Sequence, residues 1–363
     1  MTRPKLLLIT NEYKNGDAAG QVNGYELLVD SGELNSCIKV SHNEGFDQQL
    51  AFERVLDSLS NFKFDIVLIW SPSKFPTTFL QFEQLIDRIN GRPILYWEGD
   101  PWGPDNRKKT ITTQMKWWMA HSEIVYSTVS HPHSTLFRNY GAKRVIFCPN
   151  TYCHLKFKLE ENTIPYRFES GLTADISIIA NNSARIPGIS GLPGSLRRWE
   201  LISRLHFERR FTSNIYGSNW PNGWSNGLLP YDKQVKKIRE AKINLNWDHF
   251  PQYADYSSDR LPIALLAGRP HITTNHPGMK WAPDESLGLF QENAPSQILS
   301  RARELLSFAP EHLWELGLQA HKWAKNRVSH REAARYVISS YIDDVAKPPN
   351  DPWGNLPGPW LMS

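Results

Sequence analysis

Cysteine is scarce in this chain: Cys37, Cys148 and Cys153 are the only three in 363 residues, and none are in CxxC spacing. That excludes a disulfide framework and a zinc signature, and free buried thiols in a reducing, cytoplasmic compartment are expected. Long apolar runs are missing too. The opening MTRPKLLLIT is too brief for a signal peptide and no stretch approaches a membrane span. Charge of one sign is not in excess: 41 basic residues face 37 acidic ones, for a net charge of +4. Such a balance gives no footprint for nucleic acid, although it suits an anionic small ligand met by a few arginines. There is no short-period repeat and no low-complexity tract. No Asp-x-Asp pair ends a strand-like run, and Asp343-Asp344 reads as a solvated helix surface. A metal-binding site is therefore not expected. The glycine-rich segment 16–24, GDAAGQVNG, lacks dinucleotide-fingerprint spacing, and the second strand-like run ends in Ser41-His42 rather than an acid. A nicotinamide enzyme is thereby disfavoured.

What is present reads as a globular α/β protein. Hydrophobic residues make up 40% and charged residues 21%, and the length suits two domains with a core each. Short apolar runs at 5–10, 37–41, 64–70, 93–97, 123–128 and 144–148 alternate with amphipathic stretches at 24–34, 47–60, 77–90, 110–120 and 133–140. Continuous apolar strands between helices predict a parallel sheet covered on both faces. The rhythm lapses over 151–173, read as a linker. It resumes with strands at 175–180, 212–216, 243–247 and 270–274 and helices at 197–207, 232–241, 259–267 and 295–307. Residues 310–345 look wholly helical, and 347–363, rich in proline, glycine and tryptophan, should form an extended tail. The expected domains are 1–150, 174–325 and a crossing helix with tail at 326–363. Two such Rossmann-like domains would face each other across a cleft, with ligands at the strand ends.

The segment 259–278, DRLPIALLAGRPHITTNHPG, runs from a helix through Gly268 into a buried strand and the loop Asn275-His276-Pro277-Gly278. It resembles the donor-binding signature of GT-B glycosyltransferases of the group-1 type. The spore-maturation (CgeB-like) branch is the nearest match. Tyr96-Trp97-Glu98-Gly99-Asp100-Pro101 is similar to that branch's tryptophan–acidic–proline strand end, and 123–150 to its closing strand–helix–glycine–strand–proline run. Segments 175–180 with Arg197 and Arg198, and 214–246 with Tyr216-Gly217, follow in the same order. The resemblance implies a metal-independent transferase. It moves a sugar from a nucleotide-diphosphate donor, a co-substrate rather than a cofactor, to an acceptor. It also implies C-terminal helices that cross back to the N-terminal domain, and a first loop, with Gly20, over the acceptor. A sugar-nucleotide epimerase or a non-catalytic nucleotide-sugar binding protein are the alternatives. One departure stands out: the helix glutamate that holds the donor ribose falls at Ile263, so Asp259 or Asp255 takes its place or the donor sits differently.

A diphosphate needs positive charge and backbone N–H groups, which a helix N-terminus behind a glycine-rich loop supplies. Segment 181–198, NNSARIPGISGLPGSLRR, has that form, or is an ordinary connection. Donor-side candidates are Asn182, Arg198, Tyr216, Gly217, Asp259, Arg260, Thr274, His276, Pro277 and Gly278. Acid–base candidates are Asp100, Glu12 and His131, with Glu98 beside them. Asp100 either acts as the base or caps the turn before Pro101-Trp102, and His131 either acts in catalysis or opens a helix. Trp97 and Trp102 are acceptor-side candidates among fourteen tryptophans, most of them expected in the core. His249 and His271 read as core histidines.

Overall fold

The structure is a computed structural model that describes residues 3–11, 22–42, 47–103, 110–160, 164–165, 171–183 and 191–342. Glu12, Gly20, the 184–190 part of the glycine-rich loop, Asp343-Asp344 and the 347–363 tail lie outside the described residues. The chain divides into two compact units, one running to Pro149 and resuming at His330, the other spanning Asn150–Ser329.

The first unit interleaves β1 (Lys5–Thr10), α1 (Val22–Asp30), β2 (Ser36–Ser41), α2 (Gln48–Asn61), β3 (Ile66–Trp70), α3 (Phe79–Ile89), β4 (Ile94–Glu98), α4 (Thr113–His121), β5 (Ile124–Ser127), α5 (His133–Asn139) and β6 (Val145–Phe147). Its strands pair in parallel in the order β2-β1-β3-β4-β5-β6. Every residue of β3, β4 and β5 is buried, as a sheet covered on both faces requires. Local chemistry marks the helix limits. Thr78 and Gln81 form a reciprocal capping box at the start of α3, and Asn90 ends it in the left-handed conformation.

The second unit contains β7 (Ala174–Ile179), α6 (Ser195–Phe207), β8 (Ser213–Tyr216), α7 (Gln234–Arg239), β9 (Ala241–Leu245), α8 (Arg260–Ala267), β10 (His271–Thr274), β11 (Leu289–Glu292), α9 (Pro295–Leu306) and α10 (Pro310–Arg327). The parallel sheet order is β11-β10-β9-β7-β8. Both units thus share one winding, in which the first strand lies between the second and the third. α11 (His330–Ile342) belongs to the first unit, where it packs along α1 and where Tyr126 Oη donates to the Val337 carbonyl at 2.9 Å.

Three points refine the sequence reading. The stretch 310–345, expected to be wholly helical, forms two helices over its described residues, α10 and α11. The chain turns at Val328-Ser329, where Tyr152 N donates to the Val328 carbonyl. β11 went unanticipated because LFQE is short and only half apolar, the pattern of an edge strand. The strand expected at 243–247 is β9 at Ala241–Leu245, which leaves Asn246, Trp247 and Asp248 in the strand-end loop. Cys148 and Cys153 are buried and Cys37 partly so, all as free thiols.

The α1–α11 contact depends on Gly24, since a Cβ there would lie 2.2 Å from the His330 carbonyl oxygen. Gly24→Ala should therefore push the two helices apart and cost about 1–3 kcal/mol of unfolding free energy, read by urea denaturation.

Candidate functional site

In a sheet wound this way, the connections after the first and third strands leave toward opposite faces, opening a crevice at their carboxyl ends. In the second unit those strands are β7 and β9. The β7 and β8 ends are stapled together: Asn182 N donates to Ser218 O at 3.0 Å, Ser218 N to Asn181 Oδ1 at 3.0 Å, and Asn182 Nδ2 to Asn219 O at 2.9 Å. Gly217 is required there, with φ of 136° and room for no Cβ, which would sit 2.0 Å from the Ala180 carbonyl oxygen. Trp220 Nε1 donates to that same carbonyl at 2.6 Å.

Across the crevice, the start of α6 is pressed onto the loop after β9. Gly194 N donates to His249 O at 2.7 Å, and a Cβ on Gly194 would be 2.0 Å from Asp248 O. One turn into that helix, Arg198 is driven into the strand ends and is 1% exposed. Its Nε donates to Trp247 O at 2.7 Å, and Nη1 reaches Asn181 O and His249 Nε2. Nη2 has no partner among the described residues. Arg260, the first residue of α8, donates Nε to Ile179 O at 2.8 Å and stays partly exposed. Its nearest carboxylate, Asp259 at the N-cap of α8, is 3.9 Å away.

Electrostatics show how tightly the cations are crowded. Burial and then the charge of Arg260 push Arg198 down to about 9. Burial, Arg198 and Arg260 together push His249 down to about 2, so its ring is neutral and Nε2 accepts from Arg198. Asp248, 2% exposed, is the counter-charge. Burial alone would raise its pKa, but hydrogen bonds from His276 and Ser258 and the charge of Arg198 hold it well below the usual carboxylate range. His276 Nε2 lies 3.1 Å from Asp248 Oδ2, while its Nδ1 is buried with no partner among the described residues.

The remaining donor-side candidates gather on the same strand ends. Thr274 Oγ1 accepts from Asp248 N at 2.8 Å. Pro277 O accepts from Asp255 N at 2.7 Å, and Gly278, at φ 86°, lies against the Asp255 carboxylate. Tyr216 closes β8 and is 8% exposed. Ile263 is packed in the interior of α8 at 1% exposure, so that position faces the core. Asp248 was missed in the sequence, where a short polar residue after a strand reads as loop, and Asn181 lay in the glycine-rich segment without being singled out. His249, read there as a core histidine, is half-buried and bonded to Arg198.

In the first unit a second cluster forms at the end of β4. Glu98 is fully buried and takes hydrogen bonds from Tyr96 Oη at 2.7 Å, Ser71 Oγ at 3.1 Å and Asp100 N at 3.1 Å. Burial and the charge of half-buried Asp100 push Glu98 up to about 7. His131 is exposed. Two residues on, His133 is buried, bonded to Ser127 Oγ at 2.8 Å and Trp102 O at 2.6 Å and pushed by burial down to about 4. Trp97 packs on Trp70 with ring centroids 3.7 Å apart, and Trp97 and Trp102 are 3% and 8% exposed. Among the described residues, no group of three or more His, Cys, Asp or Glu side chains has metal-binding geometry, and no helix is long and apolar enough to cross a membrane.

No protein-family model matches the chain, and no curated protein matches it. Solved structures do. HepE of Anabaena, in complex with UDP-glucose, aligns over 94% of this chain and 100% of its own, at 10% identity and TM-score 0.55. Sucrose-phosphate synthase of Thermosynechococcus elongatus aligns over 94% of this chain and 98% of its own, at 11% identity and TM-score 0.53. AviGT4, a glycosyltransferase involved in avilamycin A biosynthesis, aligns over 93% and 97%, at 10% identity and TM-score 0.51. The fold is GT-B. Within this GT-B chain the crevice of the second unit is cationic, whereas the corresponding strand ends of the first carry the Glu98–Asp100 pair.

The raised Glu98 pKa sets a stability signature. An acid favoured in its protonated form by folding stabilises fully below its unfolded value of 4.5, and that stability is lost as pH rises toward about 7. Wild type should lose on the order of 3 kcal/mol across that window relative to Glu98→Gln. Urea unfolding at a series of pH values reads it, and parallel curves for the two proteins would contradict the assignment.

Proposed function

We propose that this protein is a glycosyltransferase that moves a sugar from a nucleotide-diphosphate donor to an acceptor. The observation that carries the reading is the pair Arg198 and Arg260 at the switch point of the second sheet. The two cations are held close enough to perturb each other, and among the described residues one guanidinium nitrogen has no partner and no carboxylate bridges the two. Like charges so placed are costly unless an anion completes them. A diphosphate supplies that anion, and the neighbours HepE and AviGT4, a UDP-glucose complex and a glycosyltransferase, support the class.

In this reading the second unit holds the donor and the first holds the acceptor. The bond between the anomeric carbon and the diphosphate oxygen breaks, and Arg260, Arg198 and the amides near Gly278 stabilise the charge that develops on the leaving oxygen. Charge neutralisation by guanidinium groups makes the reaction metal-independent. The acceptor hydroxyl forms the new bond to the anomeric carbon and gives its proton to the Asp100 side of the Glu98–Asp100 pair. The collinear segments at 96–101, 123–150 and 259–278 support placing the chain in the CgeB-like branch. The buried free thiols support a reducing, cytoplasmic setting.

Nucleoside diphosphates should bind wild type in the presence of a chelator, as read by calorimetry. Arg260→Ala should weaken binding about 10- to 100-fold, as expected for one lost charge-assisted contact. The absence of binding by wild type at millimolar nucleotide would defeat the proposal.

A further inference from the structure

Asp248 and His276 form a unit whose internal hydrogen bonds dictate what the histidine offers to a ligand. Asp248 is buried and tied down on every side. Oδ1 accepts from Ser258 Oγ at 2.7 Å and from Asn246 Nδ2 at 3.0 Å, and the backbone N donates to Thr274 Oγ1. Oδ2 is left for His276 Nε2 at 3.1 Å. An ionised carboxylate only accepts, so Nε2 must carry a hydrogen. Nδ1 of the neutral ring is then a bare lone pair, buried and without a partner among the described residues. A lone pair facing a diphosphate oxygen would repel it.

We infer that the donor site takes up one proton when a diphosphate binds. The proton adds to His276 Nδ1, which then donates to a phosphate oxygen, with Asp248 as the residue that positions the ring. This rests on the donor reading above and deepens it. Among the described residues the charged and titratable groups of the cluster are Asp248 and His249 after β9, Asp255 and Tyr256 before α8, Asp259 and Arg260 at its start, His271 on β10, and Arg198 from α6. In the free protein Asp248 gives Nε2 its acceptor, and Nδ1 has none among the described residues. A diphosphate oxygen brought to Nδ1 is an acceptor that favours the imidazolium. Tyr256 meets the imidazole edge-on, with centroids 5.7 Å apart, and holds the ring in place.

The test uses the full chain and a panel of UDP-, ADP-, dTDP- and GDP-linked glucose. The diphosphate of these sugar nucleotides carries no group that titrates between about pH 6 and about pH 9. Calorimetry in buffers of different ionisation enthalpy should show uptake approaching one proton per ligand at the alkaline end for wild type. Affinity should fall by up to about tenfold per pH unit there. His276→Asn should bind at least about tenfold more weakly at acid pH, with a buffer-independent enthalpy. Asp248→Asn offers an independent check. Ser258 and Asn246 keep its oxygen, so its amide faces Nε2 and forces the neutral Nδ1–H tautomer, and binding should proceed without uptake. Wild-type binding with one enthalpy in every buffer, or uptake that survives in His276→Asn, would overturn the inference while leaving the donor site standing. Failure of wild type to bind any of the four would remove the donor reading and this inference together.

Discussion

The second unit is organised around a guanidinium sealed beneath its strand ends. A buried cation is tolerated only when hydrogen bonds replace its water, and here backbone carbonyls and a neutral histidine do so. That need explains the surrounding glycines. Gly194 lets α6 ride on the Asp248 carbonyl, bringing Arg198 within reach of Trp247 O, and Gly217 lets β8 close over Ala180. Side chains at either position would spread the crevice and strand the charge. Arg260 and the Asp248–His276 pair are arranged around the same guanidinium, so the site's charge pattern follows from one packing decision.

The first unit uses the same winding for opposite chemistry. Parallel strands end together at one edge of each sheet, and the loops that follow carry whatever groups the sequence places there. At the end of β4 that is a carboxylic acid deep in aromatic packing, with Tyr96, Ser71 and a backbone N–H aimed at it. Its titration is moved toward neutrality by burial and by the charge of Asp100. The tryptophans around it wall the cluster off: Trp70, Trp97 and Trp102 are too buried to serve as open platforms.

Several features were open to reading before any coordinates. Runs such as IVLIW and ILYWE, apolar throughout, can only be strands buried on both faces, and their alternation with amphipathic helices predicts tandem parallel sheets. Arg198 and Arg260 were identifiable as cations beside strand ends, and Glu98 and Asp100 as strand-end acids. The limits were equally physical. β11 is an edge strand with half its residues polar, and the break between α10 and α11 carries no proline or glycine to announce it. The β9 boundary slipped by two residues because Asn246-Trp247 continues an apolar pattern after the ladder has stopped.

Sequence alone determined the fold class, because periodicity and run length are local properties that burial turns directly into strands and helices. It also determined which residue types stood near the strand ends. Tertiary structure decided which of those groups meet. His133 rather than His131 is buried, Ile263 turns into the core, and an unremarked Asp248 bonds His276 across two strand-end loops. The reason is that hydrogen bonding and desolvation act over a few ångströms in space. Residues 248 and 276 become neighbours only once β9 and β10 lie side by side.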